Sequence, residues 1–131
     1  MSPRDVIIIG AGPAGLAAAI AAKQYGPDYT VLEKGMLVNS LYHFPTHMVF
    51  FTTPELLEIG GLPFVTPYEK PTRLESLRYY RRVADTYELA VELGESVTAV
   101  QPPQTGRTET FTVKTQSGDG RARELESRTI V

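Results

Sequence analysis

Three glycines and one acid are the residues in this sequence whose types and spacing point most directly to chemistry. Gly10, Gly12 and Gly15 stand at G-x-G-x-x-G spacing within VIIIGAGPAGLAAAI (6–20), and Glu33 follows 23 residues after Gly10. Glycines so placed allow a tight turn, a close approach of backbone to a pyrophosphate, and close packing of a helix on a strand. The free N–H groups and positive dipole end of that helix then face a diphosphate. A carboxylate at position 33 can accept hydrogen bonds from both hydroxyls of a ribose, and its charge would repel a 2′-phosphate. The pattern predicts a dinucleotide site. The competing reading is a glycine turn that only packs helix against sheet.

Other reactive chemistry is sparse. The chain has no cysteine, which excludes disulfides, thiolate metal sites and thiol redox steps by its own side chains. His43 and His47 lie four apart, but Pro45 between them disfavours a helical metal-binding pair. No metal site and no catalytic residue is assigned. Arg73, Arg78, Arg81 and Arg82 are interspersed with Glu75, Asp85 and Glu88, a pattern that reads as a solvated helix face rather than an anion site.

The elements that must position the glycines and the acid follow from local pattern. Residues 5–10 read as a strand, apolar on both faces as a central parallel strand is. Residues 13–25 read as a helix, with Pro13 at its first position and Gly26-Pro27 as its stop. Tyr29 to Glu33 reads as a second strand, so 5–33 forms a right-handed βαβ unit. Ala19 keeps one side of the helix small against the sheet. Residues 35–71 show no sustained period and read as an aromatic-rich loop, in which Thr53-Pro54-Glu55 could open a single helical turn ended by Gly60 and Gly61. A helix is predicted over 72–90, opened by the Thr72/Glu75 capping box, with Leu74, Leu77, Ala84 and Tyr87 as its apolar stripe. Alternation then predicts a three-stranded antiparallel meander over 95–127, with turn formers at 101–108 and 116–120. Thr129 to Val131 reads as the start of a new parallel strand, and a strand begun there suggests a fragment of a longer protein. The fold class expected is α/β: a Rossmann-like βαβ unit with an inserted helix and a β-meander, an incomplete domain.

With 131 residues, 42% hydrophobic and 21% charged, the chain has the make-up of one globular domain. Its 13 basic and 15 acidic residues, net −2, give no reason to expect nucleic acid or anionic lipid as partner. No stretch approaches the roughly 20 apolar residues of a membrane helix, and no basic segment precedes the first apolar run as in a signal peptide. A cytoplasmic location is the default.

FAD and NAD share the glycine fingerprint. The order βαβ, loop, helix, meander, strand resembles the FAD domain of two-dinucleotide-domain flavoproteins such as thioredoxin reductases and flavin-dependent monooxygenases. Three strings narrow the likeness: EKG (33–35), NSLYHFPTHMVFFTTPELLEIGGLPF (39–64) and KPTRLESLRYYRRV (70–83). They are similar to strings found in the same order in the YpdA-type bacillithiol-disulfide reductase family. That resemblance covers nearly the whole chain and is strongest from 33 to 83. It implies that 1–131 is the N-terminal part of an FAD-binding domain in an NAD(P)H-dependent oxidoreductase. In such an enzyme hydride passes from nicotinamide to flavin and then reduces a low-molecular-weight disulfide. NADPH is expected at a domain outside this chain, so the chain alone is expected to be inactive, and a homo-oligomer of the full-length enzyme is left open. Matching the family's motif residue by residue, Gly10, Gly12, Pro13, Ala14, Gly15, Glu33 and Lys34 are implied to bind FAD. Thr46 and His47, in the P-T-H segment, are implied to lie near the flavin ring, with His47 expected as a buried, hydrogen-bonded imidazole rather than a reacting one. The sequence departs from the family at position 14. Many relatives have cysteine there, as GPCGL, and the methyl group of Ala14 cannot form a mixed disulfide. Two other readings stand beside this one: the N-terminal part of an FAD-dependent monooxygenase, and a non-catalytic dinucleotide-binding module.

Overall fold

The computed structural model describes residues 2–106 and 109–131. Residues 107 and 108, the end of the expected 101–108 turn, lie outside the described residues. The chain runs β1 (Arg4–Ile9), α1 (Pro13–Tyr25), β2 (Tyr29–Glu33), α2 (Asn39–Tyr42), a 3-10 turn (Pro54–Leu57), α3 (Arg73–Thr86), β3 (Val91–Leu93), β4 (Glu95–Gln101), β5 (Phe111–Ser117) and β6 (Ala122–Ile130). One mixed six-stranded sheet takes the order β3-β2-β1-β6-β5-β4. This is the α/β architecture expected from the sequence.

β1 sits inside the sheet, parallel to β2 on one side and to β6 on the other. Its alternate side chains therefore serve two cores. Ile8 faces a cluster with Leu16, Ala19 and Ile20 of α1 and Tyr79, Tyr80 and Val83 of α3. Ile7 faces the opposite side with Leu32, Val113 and Leu125. Burial on both faces explains why β1 is an unbroken aliphatic run, each such side chain contributing on the order of 1.5–3 kcal/mol. α1 starts with Pro13 at a position that needs no N–H, and ends at Gly26, whose φ of 91° closes the helix with its N–H on the carbonyl of Ala22.

Four differences from the sequence reading have physical causes. The helix expected over 72–90 ends at Thr86, and Val91–Leu93 forms a short strand parallel to β2 that the reading missed. Three residues carry too little pattern to announce a strand. The segment 35–71 holds a one-turn helix, α2. Residues 129–131 do not begin a separate strand. β6 is continuous from Ala122 to Ile130, antiparallel to β5 along its first part and parallel to β1 at Ser127, Thr129 and Ile130. Finally, the face of α3 buried in the core is Ser76, Tyr79, Tyr80 and Val83, whereas Leu74 of the expected stripe is 49% exposed.

α3 is held at its start by the expected box: Thr72 Oγ1 accepts from the Glu75 N–H while Glu75 Oε1 accepts from the Thr72 N–H. Its tyrosines then organise the loop before it. Tyr79 Oη donates to the carbonyl of Leu62 at 2.8 Å, Tyr80 Oη to Leu57 at 2.8 Å, and Tyr87 Oη to Gly60. Arg82 reaches the carbonyl of Pro63 at 2.6 Å. The loop is thus folded because its polar backbone finds partners on one helix.

Burial, with Tyr79 beside it, pushes the Tyr80 hydroxyl up to about 12. Its contribution to stability is complete below an ordinary tyrosine's value near 10 and is lost as pH rises toward 12. In Tyr80→Phe, urea denaturation at neutral pH should show a loss of about 1 kcal/mol from the missing hydrogen bond. The fall in stability between about pH 10 and 12 should be shallower than in the parent protein. An unchanged alkaline slope would count against this role for Tyr80.

Candidate functional site: the glycine turn and Glu33

Strands β1 and β2 end side by side, and the site is built on their C-terminal tips. Gly10 leaves β1 with a φ of 102°, a conformation open to glycine and strained for other residues. Its N–H still donates to the carbonyl of Leu32 at 2.8 Å, so the turn begins clamped to the neighbouring strand. Gly15, in the first turn of α1, lies so close to that turn that an added Cβ would stand 1.9 Å from the Gly10 carbonyl oxygen. This contact presses helix onto strand and points the helix start at the tip of β1. Gly12 behaves differently. Its φ is −78°, which any residue can adopt, and a Cβ there would meet nothing within 4 Å. No internal contact demands glycine at 12; what its bareness leaves open is the space in front of the helix. No side chain caps α1, and its first turn carries no acid.

Glu33, the last residue of β2, is only 6% exposed, and its carboxylate turns back over the glycine turn. Oε1 accepts the N–H of Ala11 at 2.9 Å, and Oε2 accepts the N–H of Gly35 at 2.7 Å. A carboxylate offers about four acceptor positions, so two remain for incoming hydroxyls. The amide of Ala11 is used on both sides, because its carbonyl accepts the N–H of Val38 at 2.8 Å. That bond draws residues 34–38 across the top of the turn. Val38 is left-handed there, φ 46° and ψ 49°, a costly conformation for a β-branched residue that is held by this bond and by burial at 2% exposure.

A cavity of about 160 Å³ lies in the angle so formed, bordered by Gly12, Pro13, Glu33, Lys34, Val38 and Asn39. Of the residues expected at a cofactor site, Gly10, Gly12, Pro13, Gly15, Glu33 and Lys34 are brought to this corner, and Ala14 is exposed in the first turn of α1. Thr46 and His47 do not border the cavity. Both are exposed in a turn closed by the Met48 N–H on the Pro45 carbonyl, so the expectation of a buried imidazole at His47 is corrected. Aromatic neighbours in sequence proved a poor sign of burial, since Phe44 and Phe51 are exposed as well. Val38, Asn39 and the Ala11 amide were not anticipated. Nothing in their residue types announces a backbone strap. Among the described residues no cluster of three or more His, Asp or Glu could hold a metal, and no helix is long and apolar enough to cross a membrane.

The corner fits the adenosine-diphosphate end of a dinucleotide: bare backbone at Gly12, uncapped amides on α1 and a fixed carboxylate with spare acceptors. The family model described as pyridine nucleotide-disulphide oxidoreductase matches residues 7–126. The chain belongs to this family. Within it, the chain is 53% identical over 83 residues to bacilliredoxin reductase Bdr of Bacillus subtilis (strain 168), covering 63% of this chain and 26% of that protein. The solved bacillithiol disulfide reductase Bdr (YpdA) from Bacillus cereus superposes with a TM-score of 0.91 at 42% identity, over 98% of this chain and 39% of that one. A flavin-containing monooxygenase from Stenotrophomonas maltophilia is more distant, with a TM-score of 0.81 at 25% identity over 99% of this chain and 38% of that one. The chain therefore spans between a quarter and two-fifths of the length of these relatives. The family likeness read from 33–83 is shown.

Two substitutions separate the parts of this pyridine nucleotide-disulphide oxidoreductase corner. Gly15→Ala should lower unfolding free energy by about 1–3 kcal/mol, because the new methyl must displace backbone. Glu33→Gln keeps the shape but turns an amide N–H₂ toward a backbone N–H. It should cost about 1–3 kcal/mol in the absence of any ligand. Chemical denaturation measures both, and a neutral Glu33→Gln would mean that the two amide contacts do not hold the corner.

Proposed function

We propose that the chain forms the adenosine-diphosphate half of an FAD site in an NAD(P)H-dependent flavin oxidoreductase, one that resembles the bacillithiol disulfide reductases. The observation that carries this reading is the Glu33 carboxylate, buried, oriented by Ala11 and Gly35, and still able to accept at the cavity wall. FAD, when bound, would supply two-electron chemistry between a nicotinamide nucleotide and the final acceptor. The chain's own residues bind and orient. Glu33 accepts the two ribose hydroxyls. The N–H groups of Ala14 and Gly15, with the positive end of α1, face the diphosphate, and Gly12 lets it approach. Pro13 preorganises that helix start without adding a donor. Lys34, exposed on the rim, adds positive charge beside the phosphates. Thr46 and His47, on their exposed turn, are assigned to the flavin-ring end, with no chemical step given to either.

The acceptor in this reading is a low-molecular-weight disulfide, after the name of the Bacillus cereus relative, and the setting is the cytoplasm. With alanine at 14 and no cysteine in the chain, any thiol exchange must be carried by groups other than this chain's side chains. The same observation supports a second reading, that the reduced flavin meets oxygen as in the monooxygenase neighbour. Anaerobic and aerobic NADPH oxidation by the full-length enzyme, with and without bacillithiol disulfide, separates the two.

Titration with FAD and with NAD, followed by flavin fluorescence and by equilibrium dialysis, tests the site itself. Retained FAD with no retained NAD is expected. Gly12→Ala should unfold within about 0.5 kcal/mol of the parent, since its Cβ meets no protein atom. The same change should weaken FAD at least about tenfold by intruding on the diphosphate. Preferential NAD retention, or full FAD affinity in Gly12→Ala, would refute the proposal.

A further inference from the structure

Helical geometry carries the apolar residues of α3 beyond its fully buried face, with Leu77 at the edge of the core. Ser76, Tyr79, Tyr80 and Val83 are buried against the sheet. Leu74, Leu77 and Ala84, about a third of a turn round, border a cleft on the outer side together with Met36 and with Leu93 of the edge strand β3. Leu74 and Leu93 are about half exposed, at 49% and 54%. The cleft measures about 740 Å³, and it shares no bordering residue with the cavity beside Glu33. Its volume and mostly apolar walls lie within the range of small-molecule sites.

Charge is distributed unevenly over it. Three arginines and one acid, Asp85, border the cleft. Arg73 is committed to structure: its guanidinium donates to the carbonyl of Tyr42 at 2.6 Å and lies over the Tyr42 ring. Arg78 and Arg81 are exposed, and among the described residues neither forms an ion pair or hydrogen bond, although the charge of Arg78 reaches Glu75. They stand three residues apart on one helix face, so both heads can converge on one anionic group above the apolar floor. Guanidinium forks match carboxylate and phosphate oxygens in geometry as well as charge. Read from sequence, these arginines are a solvated face; the hollow beneath them is what the sequence did not reveal.

We propose that this cleft is a second ligand site, taking a small molecule with an apolar body and one carboxylate or phosphate group held between Arg78 and Arg81. The site is independent of the dinucleotide corner, and its test does not require that reading to hold. Calorimetric titration of the purified protein, with and without FAD, uses 2-naphthoate, 2-naphthyl phosphate and the uncharged 2-naphthamide as probes. One-to-one binding is expected, with an anion favoured over the amide by about tenfold, the worth of a charge-assisted hydrogen bond. In Arg78→Gln/Arg81→Gln that preference should shrink to within about twofold, with amide affinity and unfolding temperature unchanged. Leu74→Ser should weaken acid and amide alike. The proposal is overturned by no saturable binding, by equal affinity for acid and amide, or by a preference that survives loss of both arginines. Displacement of FAD by naphthoate would also overturn it, as would self-association of the protein that closes the cleft to every probe.

Discussion

Two backbone amides hold the carboxylate of Glu33 over the tip of the sheet, and the geometry of the corner depends on that clamp. A carboxylate out of water is unfavourable unless hydrogen bonds replace the lost hydration. Here the N–H groups of Ala11 and Gly35 do so, one from the glycine turn and one from the segment that follows β2. The clamp thereby ties the end of β1 to the end of β2 at the level of side chains, beyond the ladder that pairs the strands. The strap at 34–38 lies where it does because Ala11 binds on both of its faces, and the left-handed backbone of Val38 is the local cost of that path.

The remainder of the fold keeps this corner rigid and open. β1 is flanked on both sides by parallel strands and covered on both faces, so its tip cannot shift without disturbing two cores. α1 is pressed to it by the contact at Gly15, which sets the direction of the helix start. α3 contributes at a distance: its tyrosines absorb the carbonyls of the 57–62 loop, and Arg73 ties α2 to α3 through the Tyr42 carbonyl. Packing and backbone satisfaction thus place two polar features, an uncapped helix start and an oriented acid, side by side at the tip of the sheet.

The glycine turn and its acid were legible in the sequence because spacing displays the local demands they answer. Gly15 must be bare for helix and strand to touch, and Glu33 must end a strand beside the turn. βαβ order and the capping box at Thr72 were legible for the same reason. What escaped notice depends on contacts remote in sequence. β3 is three residues long and is a strand only because β2 lies beside it. β6 runs through the expected break because it changes partner, from β5 to β1, without changing its own extended backbone. His47 was expected inside on the strength of aromatic neighbours, yet a turn puts it outside. Of the apolar stripe expected on α3, Leu77 and Tyr87 pack against the core while Leu74 stays half exposed, because periodicity reports a stripe and not how far the neighbouring elements cover it.

Backbone amide shifts in a nitrogen-15 spectrum, recorded as ADP is added to the protein, test the central claim most directly. ADP carries the ribose and the diphosphate without the flavin. The account predicts saturable shifts confined to Ala11, Gly12, Ala14, Gly15 and the 33–39 segment, with the Ala11 and Gly35 signals already those of hydrogen-bonded amides before ligand is added. Shifts that leave these residues untouched, or a free-protein spectrum in which the Ala11 amide exchanges as freely as an exposed loop, would contradict it.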